Sequence, residues 1–307
     1  MDPASFTYSI SPAQGKKLKA LLQEQSFEFE ALPYGHFRAA KAKCSIQYYE
    51  SGKLVLQGKG AKEFIEFYLE PFVLEEARLG YEEELNPEMF EPHFGIDEAG
   101  KGDFFGPLVI AGAYVGKISA RQLLDAGIKD SKRITSAKRA HDLADQIRKI
   151  VGKNCEVVAI FPEKYNELYG KFRNLNQMLA WGHAKVIENL AAKVPGCPRA
   201  LSDQFAYPQV LQNQLNRKKI SIRLEQRTKA EADIAVAAAS ILARSAFLKG
   251  LEKLGEPLER ELLKGAGDAV KAQGREIFAQ HGEAGLRKIA KEHFKTFGEI
   301  TGRAVIK

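Results

Sequence analysis

Cysteine, methionine and tryptophan are scarce in this chain: three, three and one among 307 residues. Cys44, Cys155 and Cys197 stand far apart, with no metal-type spacing and no pairing framework. This excludes a disulfide scaffold and a cysteine-ligated metal, and it points to a reducing compartment. No apolar run reads as long enough to span a bilayer, and Met1-Asp2-Pro3-Ala4-Ser5 opens no signal region. A soluble, cytoplasmic protein with no membrane partner is expected. Neither G-x-x-x-x-G-K-[ST] nor G-x-G-x-x-G occurs, so the common nucleotide-phosphate loops are excluded. No internal repeat or low-complexity tract is evident.

What is present is a 45% apolar composition, enough for a real core, and a net charge of +7. A basic balance suits a polyanionic partner. The length fits a small domain followed by a large one.

The first part of the chain alternates strand and helix signals. Residues 6–10 alternate as a half-buried strand. Ser11-Pro12-Ala13-Gln14 forms a capping box, with Ser11 at N-cap and Pro12 at N1. The helix it opens should bury Leu18, Leu21 and Leu22. Residues 37–43 read as extended, and residues 44–49 and 53–58 as a hairpin turning at Glu50-Ser51-Gly52. A second amphipathic helix is expected over 61–69. The open face of such a sheet would offer Arg38, Tyr49, Lys43, Gln47, Gln57 and Lys59 to a nucleic-acid backbone. Glutamates and prolines then crowd residues 70–91, a stretch that phosphates would repel. The expected segmentation is residues 1–72 as a substrate-binding domain, 73–92 as an acidic linker and 93–307 as the main domain.

The main domain is organised around Phe94-Gly95-Ile96-Asp97-Glu98-Ala99-Gly100-Lys101-Gly102-Asp103. It reads as an apolar strand ending in two adjacent carboxylates, then a glycine-punctuated turn, then a second apolar strand from Leu108. Neighbouring strand residues point to opposite faces, so Asp97 and Glu98 share one face only if the strand stops there. A third strand is expected just beyond Val115. Residues 156–161, 199–203 and 220–225 read as further strands, and residues 165–190 as helix interrupted near Asn174. Ile234 to Arg244 is a small-residue helix able to pack close to a sheet.

Carboxylates therefore recur where a metal site would use them. Asp97 and Glu98 end one strand, Asp203 ends another, and Glu231 or Asp233 sits where a helix begins. Two divalent ions about 4 Å apart need several carboxylates from different elements converging on one sheet edge. Each acid alone has an ordinary structural reading: a solvated strand end, or a dipole-stabilised helix start.

Taken together these residues resemble the type 2 ribonuclease H family and its HIII branch. Asp97-Glu98-Ala99-Gly100-Lys101-Gly102 with Gly106-Pro107 is similar to the D-E-x-G-x-G…G-P signature, with Lys101 where the HII branch usually has Arg. Asp130-Ser131-Lys132, Tyr165-Asn166, Asp203-Gln204-Phe205, Lys229-Ala230-Glu231 and His293-Phe294-Lys295-Thr296 resemble its further motifs. Tyr49-Glu50-Ser51-Gly52-Lys53 and Gln57-Gly58-Lys59-Gly60-Ala61 look like the branch's N-terminal extension of TATA-binding-protein type.

The resemblance implies an α/β ribonuclease H-like mixed sheet flanked by helices, preceded by a small α+β TATA-binding-protein-like domain. It implies endonucleolytic cleavage of the RNA strand of an RNA/DNA hybrid, with two Mg²⁺ or Mn²⁺ ions. It casts Asp97, Glu98, Asp203 and Glu231 as metal-binding catalytic residues, with Asp233 as the alternative fourth. Gly100 and Gly102 would read the 2′-hydroxyl by backbone, Lys101, Ser131 and Lys132 would meet phosphates, and Asn166 would join the substrate contacts. His183 could serve as a proton shuttle, but beside Trp181 on a helix it reads as structural. A monomer is expected. Cleavage at single ribonucleotides in DNA, as in the HII branch, and a binding module with a dead site are the competing readings.

Overall fold

The computed structural model describes residues 5–75, 86–128, 134, 136–228 and 230–302. The chain divides into two compact units, Met1–Glu88 and Met89–Lys307.

The first unit is a five-stranded antiparallel sheet of β1 (Ser5–Ser9), β2 (Glu28–Glu30), β3 (Gly35–Lys41), β4 (Cys44–Tyr49) and β5 (Lys53–Gln57), in the order β1-β5-β4-β3-β2. α1 (Pro12–Glu24) carries the expected capping box, with the Ser11 side chain accepting from Gln14 N and buried Leu18 and Leu22. Strand alternation sends Phe37, Ala39, Ile46, Tyr48, Leu54 and Leu56 to the buried face against the helices. The second expected helix differs from its reading. It begins as a single α turn, α2 (Ala61–Phe64), and widens into a π-helix over Ile65–Leu74. Pro71 lies inside that segment and has no N–H to give to a regular α ladder. Val73 and Leu74 belong to this helix and its core, and half of the expected linker, residues 76–85, falls outside the described residues.

The second unit is built on β6 (His93–Ala99), β7 (Leu108–Val115), β8 (Cys155–Ile160), β9 (Arg199–Asp203) and β10 (Arg223–Arg227), ordered β10-β9-β6-β7-β8. The β6-β7-β8 part is antiparallel, whereas β9 joins β6 and β10 joins β9 in parallel, giving a mixed sheet. Its helices are α3 (Lys117–Asp125), α4 (Ala137–Val151), α5 (Pro162–Phe172), α6 (Leu175–Lys193), α7 (Pro208–Arg217), α8 (Ile234–Gly255), α9 (Asp268–Ile289, kinked at Gly282) and α10 (Lys295–Thr301). α8 lies on the face of β6 and β7 that presents Val109, Ala111 and Ala113. α6 covers the opposite face with Phe94, Ile96 and Ile110.

Gly95 sets how near α8 can come. A Cβ there would lie 2.1 Å from the Ala235 carbonyl carbon, so only glycine permits this approach. The alanine run of α8 completes the fit, with Ala235, Ala237, Ala238 and Ala239 buried.

Three sequence expectations are corrected. No strand follows Val115: Gly116 N donates to Ser119 Oγ at 3.0 Å, and the chain turns into α3, which buries Ala120 and Leu123. The strand expected at 220–225 is displaced to Arg223–Arg227, because its parallel register begins at Arg223 opposite Arg199. Among the described residues one segment, Ile234–Leu258, is long and apolar enough to cross a membrane; 72% of its apolar window is buried inside the fold, which marks it as the core helix.

Candidate active site

β6 continues through Asp97 and Glu98 to Ala99, so the two carboxylates project to opposite faces. Asp97 shares the face of Gly95 and meets α8. Its Oδ1 accepts from Glu98 N at 2.8 Å, and Ser240 also bonds the carboxyl. Burial, then repulsion from the Glu98 charge, pushes its pKa up to about 6 against those hydrogen bonds. Glu98 lies on the α6 side. Its Oε2 is 3.0 Å from His183 Nε2, and its Oε1 is 3.6 Å from Lys101 Nζ. Burial would raise this carboxyl, but the His183 bond and charge, aided by Lys101, hold it below the ordinary glutamate value.

β9 brings the third carboxylate. Asp203 Oδ1 accepts from Ala230 N at 3.2 Å, which ties the end of β9 to the 3₁₀ turn Ala230–Ala232 that carries Glu231. Asp233 has another task. Its Oδ1 caps α8 through Ala235 N at 2.8 Å and Val236 N at 3.2 Å. Both of its oxygens also face Nε2 of buried His93, at 3.0 and 3.1 Å, while His93 Nδ1 lies 2.7 Å from the Glu91 carbonyl. The Asp233 carboxylate is therefore committed to holding the start of α8 on β6.

Among the described residues no three His, Cys, Asp or Glu side chains stand close enough to enclose an ion. The candidate donors are nevertheless all carboxylate oxygens, the set preferred by hard cations such as Mg²⁺ and Mn²⁺. The mutual repulsion of Asp97 and Glu98 is a cost that a divalent cation would remove. The residues present fit such ions.

The turn after β6 requires glycine at position 100: φ is +85°, and a Cβ would lie 2.2 Å from the Pro107 carbonyl oxygen. At Gly102 nothing stands within 4 Å of a Cβ position, so its backbone can be approached closely. Lys101 Nζ lies 5.9 Å from the Phe205 ring centre, beyond the end of β9. The turn is backed from behind. Asp103 Oδ1 accepts from Gly265 N at 2.6 Å, and the buried Lys291 ammonium donates to the Asp103 carbonyl at 2.7 Å. Burial pulls the Lys291 pKa down to about 7.

The remaining expected contacts scatter. Asn166 does not turn to the carboxylates: its Oδ1 accepts from Glu292 N at 3.0 Å and its Nδ2 donates to the Ala290 carbonyl at 3.1 Å, which pins the C-terminal segment. Ser131 and Lys132 lie outside the described residues. Gln47 and Gln57 lie on the sheet face of the first unit away from its core, and exposed Lys43 and Lys59 share one sheet end, where Gly60 N bonds the Lys43 carbonyl at 3.1 Å. Sequence reading missed His93, Ser240, Ser202 and Lys291. Only His93 carried a signal, as a histidine opening a strand whose next three residues are non-polar.

The Ribonuclease HII family model matches residues 94–297. A second model, a domain of unknown function (DUF3378), matches residues 6–76. Ribonuclease HIII of Chlamydia pneumoniae is 46% identical over 303 residues, covering 97% of this chain and 98% of that protein. Ribonuclease HIII of Protochlamydia amoebophila is 45% identical over 298 residues, 97% of each. The crystal structure of Bst-RNase HIII in complex with Mn²⁺ superposes with a TM-score of 0.67 at 25% identity, covering 97% of this chain and 98% of that one. With both units matched along nearly their whole length, the chain belongs to the ribonuclease HII family, within its ribonuclease HIII group.

Proposed function

We propose that this ribonuclease cuts the RNA strand of RNA/DNA hybrids endonucleolytically, leaving 5′-phosphate and 3′-hydroxyl ends, at Asp97, Glu98, Asp203 and Glu231. The observation that carries this reading is the meeting of three elements at one sheet edge: the β6 carboxylate pair, the end of β9, and the Glu231 turn bonded to Asp203. Two bound Mg²⁺ or Mn²⁺ ions supply the Lewis acidity that activates water and stabilises the leaving oxygen. The solved Mn²⁺ complex of Bst-RNase HIII favours this cofactor class.

The chain's own residues do the rest. Asp97 and Glu98, consecutive residues on β6, would supply carboxylate oxygens to the ions. Asp203 and Glu231 are coupled through the Ala230 amide, so they hold position as a pair. Glu231 is preferred to Asp233 because the latter is spent on the α8 cap and His93. The open backbone at Gly102, beside the Gly100 turn, supports its assignment to a 2′-hydroxyl, the group that separates RNA from DNA. Lys101, now 3.6 Å from Glu98 Oε1, is the cation we assign to a substrate phosphate. Ser131 and Lys132 are assigned to phosphates as well. Gln47, Gln57, Lys43 and Lys59 on residues 1–72 hold the duplex, and residues 93–307 cut it. The enzyme works as a monomer in a reducing cytoplasm, with its three cysteines free.

Two labelled duplexes test the reading: a continuous RNA/DNA hybrid, and DNA containing one ribonucleotide, each with Mg²⁺ and Mn²⁺. Hybrid cleavage far above nicking at the lone ribonucleotide is the expected result. Equal or stronger nicking would move the specificity to the HII type, and tight binding without cleavage of either would mark a dead site.

A further inference from the structure

His183 is fully buried, yet neither ring nitrogen is idle. Nε2 lies 3.0 Å from Glu98 Oε2 on β6, and Nδ1 lies 3.1 Å from Ser202 Oγ on β9. The Ser202 hydroxyl is also 3.0 Å from the carbonyl oxygen of Asp203. The backbone pairing of β6 with β9 ends at Ile96 opposite Ser202. Asp97, Glu98 and Asp203 all lie past that last rung, where no ladder bond fixes the spacing of the two strands. The imidazole spans the gap at that point.

We propose that His183 is a positioning residue, a strut that fixes Glu98 against the Asp203 end of β9 and so sets the affinity of the carboxylate site for divalent cations. The inference rests on Glu98 and Asp203 being ion ligands. A carboxylate oxygen only accepts, so Nε2 must carry the proton that faces Glu98, whichever way the Ser202 hydroxyl turns. Held in that bond, Nε2 has no lone pair with which to take a proton from water. The bond takes one lone pair of Oε2 and orients the carboxylate, with Oε1 facing Lys101 at 3.6 Å. The Phe205 ring packs 4.6 Å from the imidazole centre and limits its tilt. Partners that orient a ligating carboxylate in this way change metal affinity by about 10–100-fold when removed.

The test is Mn²⁺ binding to the full chain by calorimetry, alongside the Mn²⁺ dependence of hybrid cleavage. Four variants are compared: His183→Gln, whose amide reaches toward Glu98; His183→Asn, whose amide reaches only toward Ser202; Ser202→Ala, which cuts the strut on the β9 side; and Asp97→Asn. His183→Asn is expected to weaken Mn²⁺ binding about 10–100-fold. Ser202→Ala should weaken it less, and His183→Gln should recover most of the wild-type affinity. The Mn²⁺ needed for half-maximal cleavage should rise in parallel, with the KM for hybrid unchanged. Wild-type Mn²⁺ affinity in His183→Asn and Ser202→Ala, with any loss confined to melting temperature, overturns the strut. If His183→Asn does not fold, Ser202→Ala against His183→Gln decides alone. Asp97→Asn separates the two possible failures: if it abolishes Mn²⁺ binding while the others do not, only the strut is wrong, and if it too binds normally, the ion site itself is misplaced.

Discussion

Removing the charge of Asp97 should stabilise the metal-free protein while it disables the site. The Asp97 carboxyl moves from an ordinary 3.8 to about 6 in the fold, chiefly through burial and then through Glu98. At 1.36 kcal/mol for each tenfold change, ionisation in place costs about 3 kcal/mol of folding stability. The folded-state value is raised, so the stability given by the neutral form is fully present below the unfolded value of 3.8 and is lost as pH rises through 6. Asparagine fills the same space and still accepts from Glu98 N. Asp97→Asn should therefore gain about 2–3 kcal/mol at pH 8 in chelator, worth about 2–4 °C of melting temperature per kcal/mol in a unit of this size. At pH 5 the wild-type side chain is mostly protonated, and the advantage should shrink to about half. Saturating Mn²⁺ should reverse the order, because only the wild type gains from binding. Thermal or urea unfolding at both pH values reads the effect. A variant no more stable than wild type at pH 8, or one whose gain persists unchanged into acid, refutes the reasoning that two crowded carboxylates are held here at a cost.

Three other perturbations follow from the same geometry. Gly95→Ala should destabilise the second unit by about 1–3 kcal/mol or prevent folding, since the added methyl meets the Ala235 backbone; an unchanged urea midpoint would contradict the close α8 approach. Asn166→Ala should cost about 1–3 kcal/mol of stability by leaving backbone groups of residues 290 and 292 unpaired, with no change in hybrid KM; a KM effect without a stability effect would instead support Asn166 as a substrate contact. Mn²⁺ affinity should fall about tenfold per pH unit below about pH 6, where the ion must displace the Asp97 proton, and calorimetry in two buffers should show that proton released; pH-independent binding would mean that Asp97 is not a ligand.

Much of the architecture was legible because it was written in local chemistry. The Ser11 capping box, the hairpin at Glu50-Ser51-Gly52 and the apolar strands around Asp97 each rest on neighbours in sequence. The small-residue stretch of α8 announced close packing, and Gly95 is the position where it occurs. The helix after Val115 was not legible, since its start rests on reciprocal Gly116–Ser119 bonds with a glycine, not a strong capping side chain, at the N-cap. The π-helical widening around Pro71 was hidden for a similar reason: periodicity locates a helix but not its winding. At the site, the adjacent pair Asp97-Glu98 and the preference for Glu231 over Asp233 were visible in sequence, but the structural ground for that preference was not. It turns on His93, 140 residues before Asp233, and on the α8 cap. Nor did any spacing reveal that His183, 85 residues after Glu98, would carry a hydrogen bond to it.

The most direct test of the account is a scan of Asp97→Asn, Glu98→Gln, Asp203→Asn, Glu231→Gln and Asp233→Asn, each measured for hybrid cleavage at saturating Mn²⁺ and for hybrid affinity without metal. The first four should lose at least about a thousandfold in cleavage, roughly 4 kcal/mol of transition-state stabilisation, with hybrid affinity within a few-fold of wild type. Asp233→Asn should lose melting temperature and keep most of its turnover, as suits a helix cap held by His93. Cleavage that survives Glu231→Gln and disappears with Asp233→Asn in a stably folded protein would contradict the site described here.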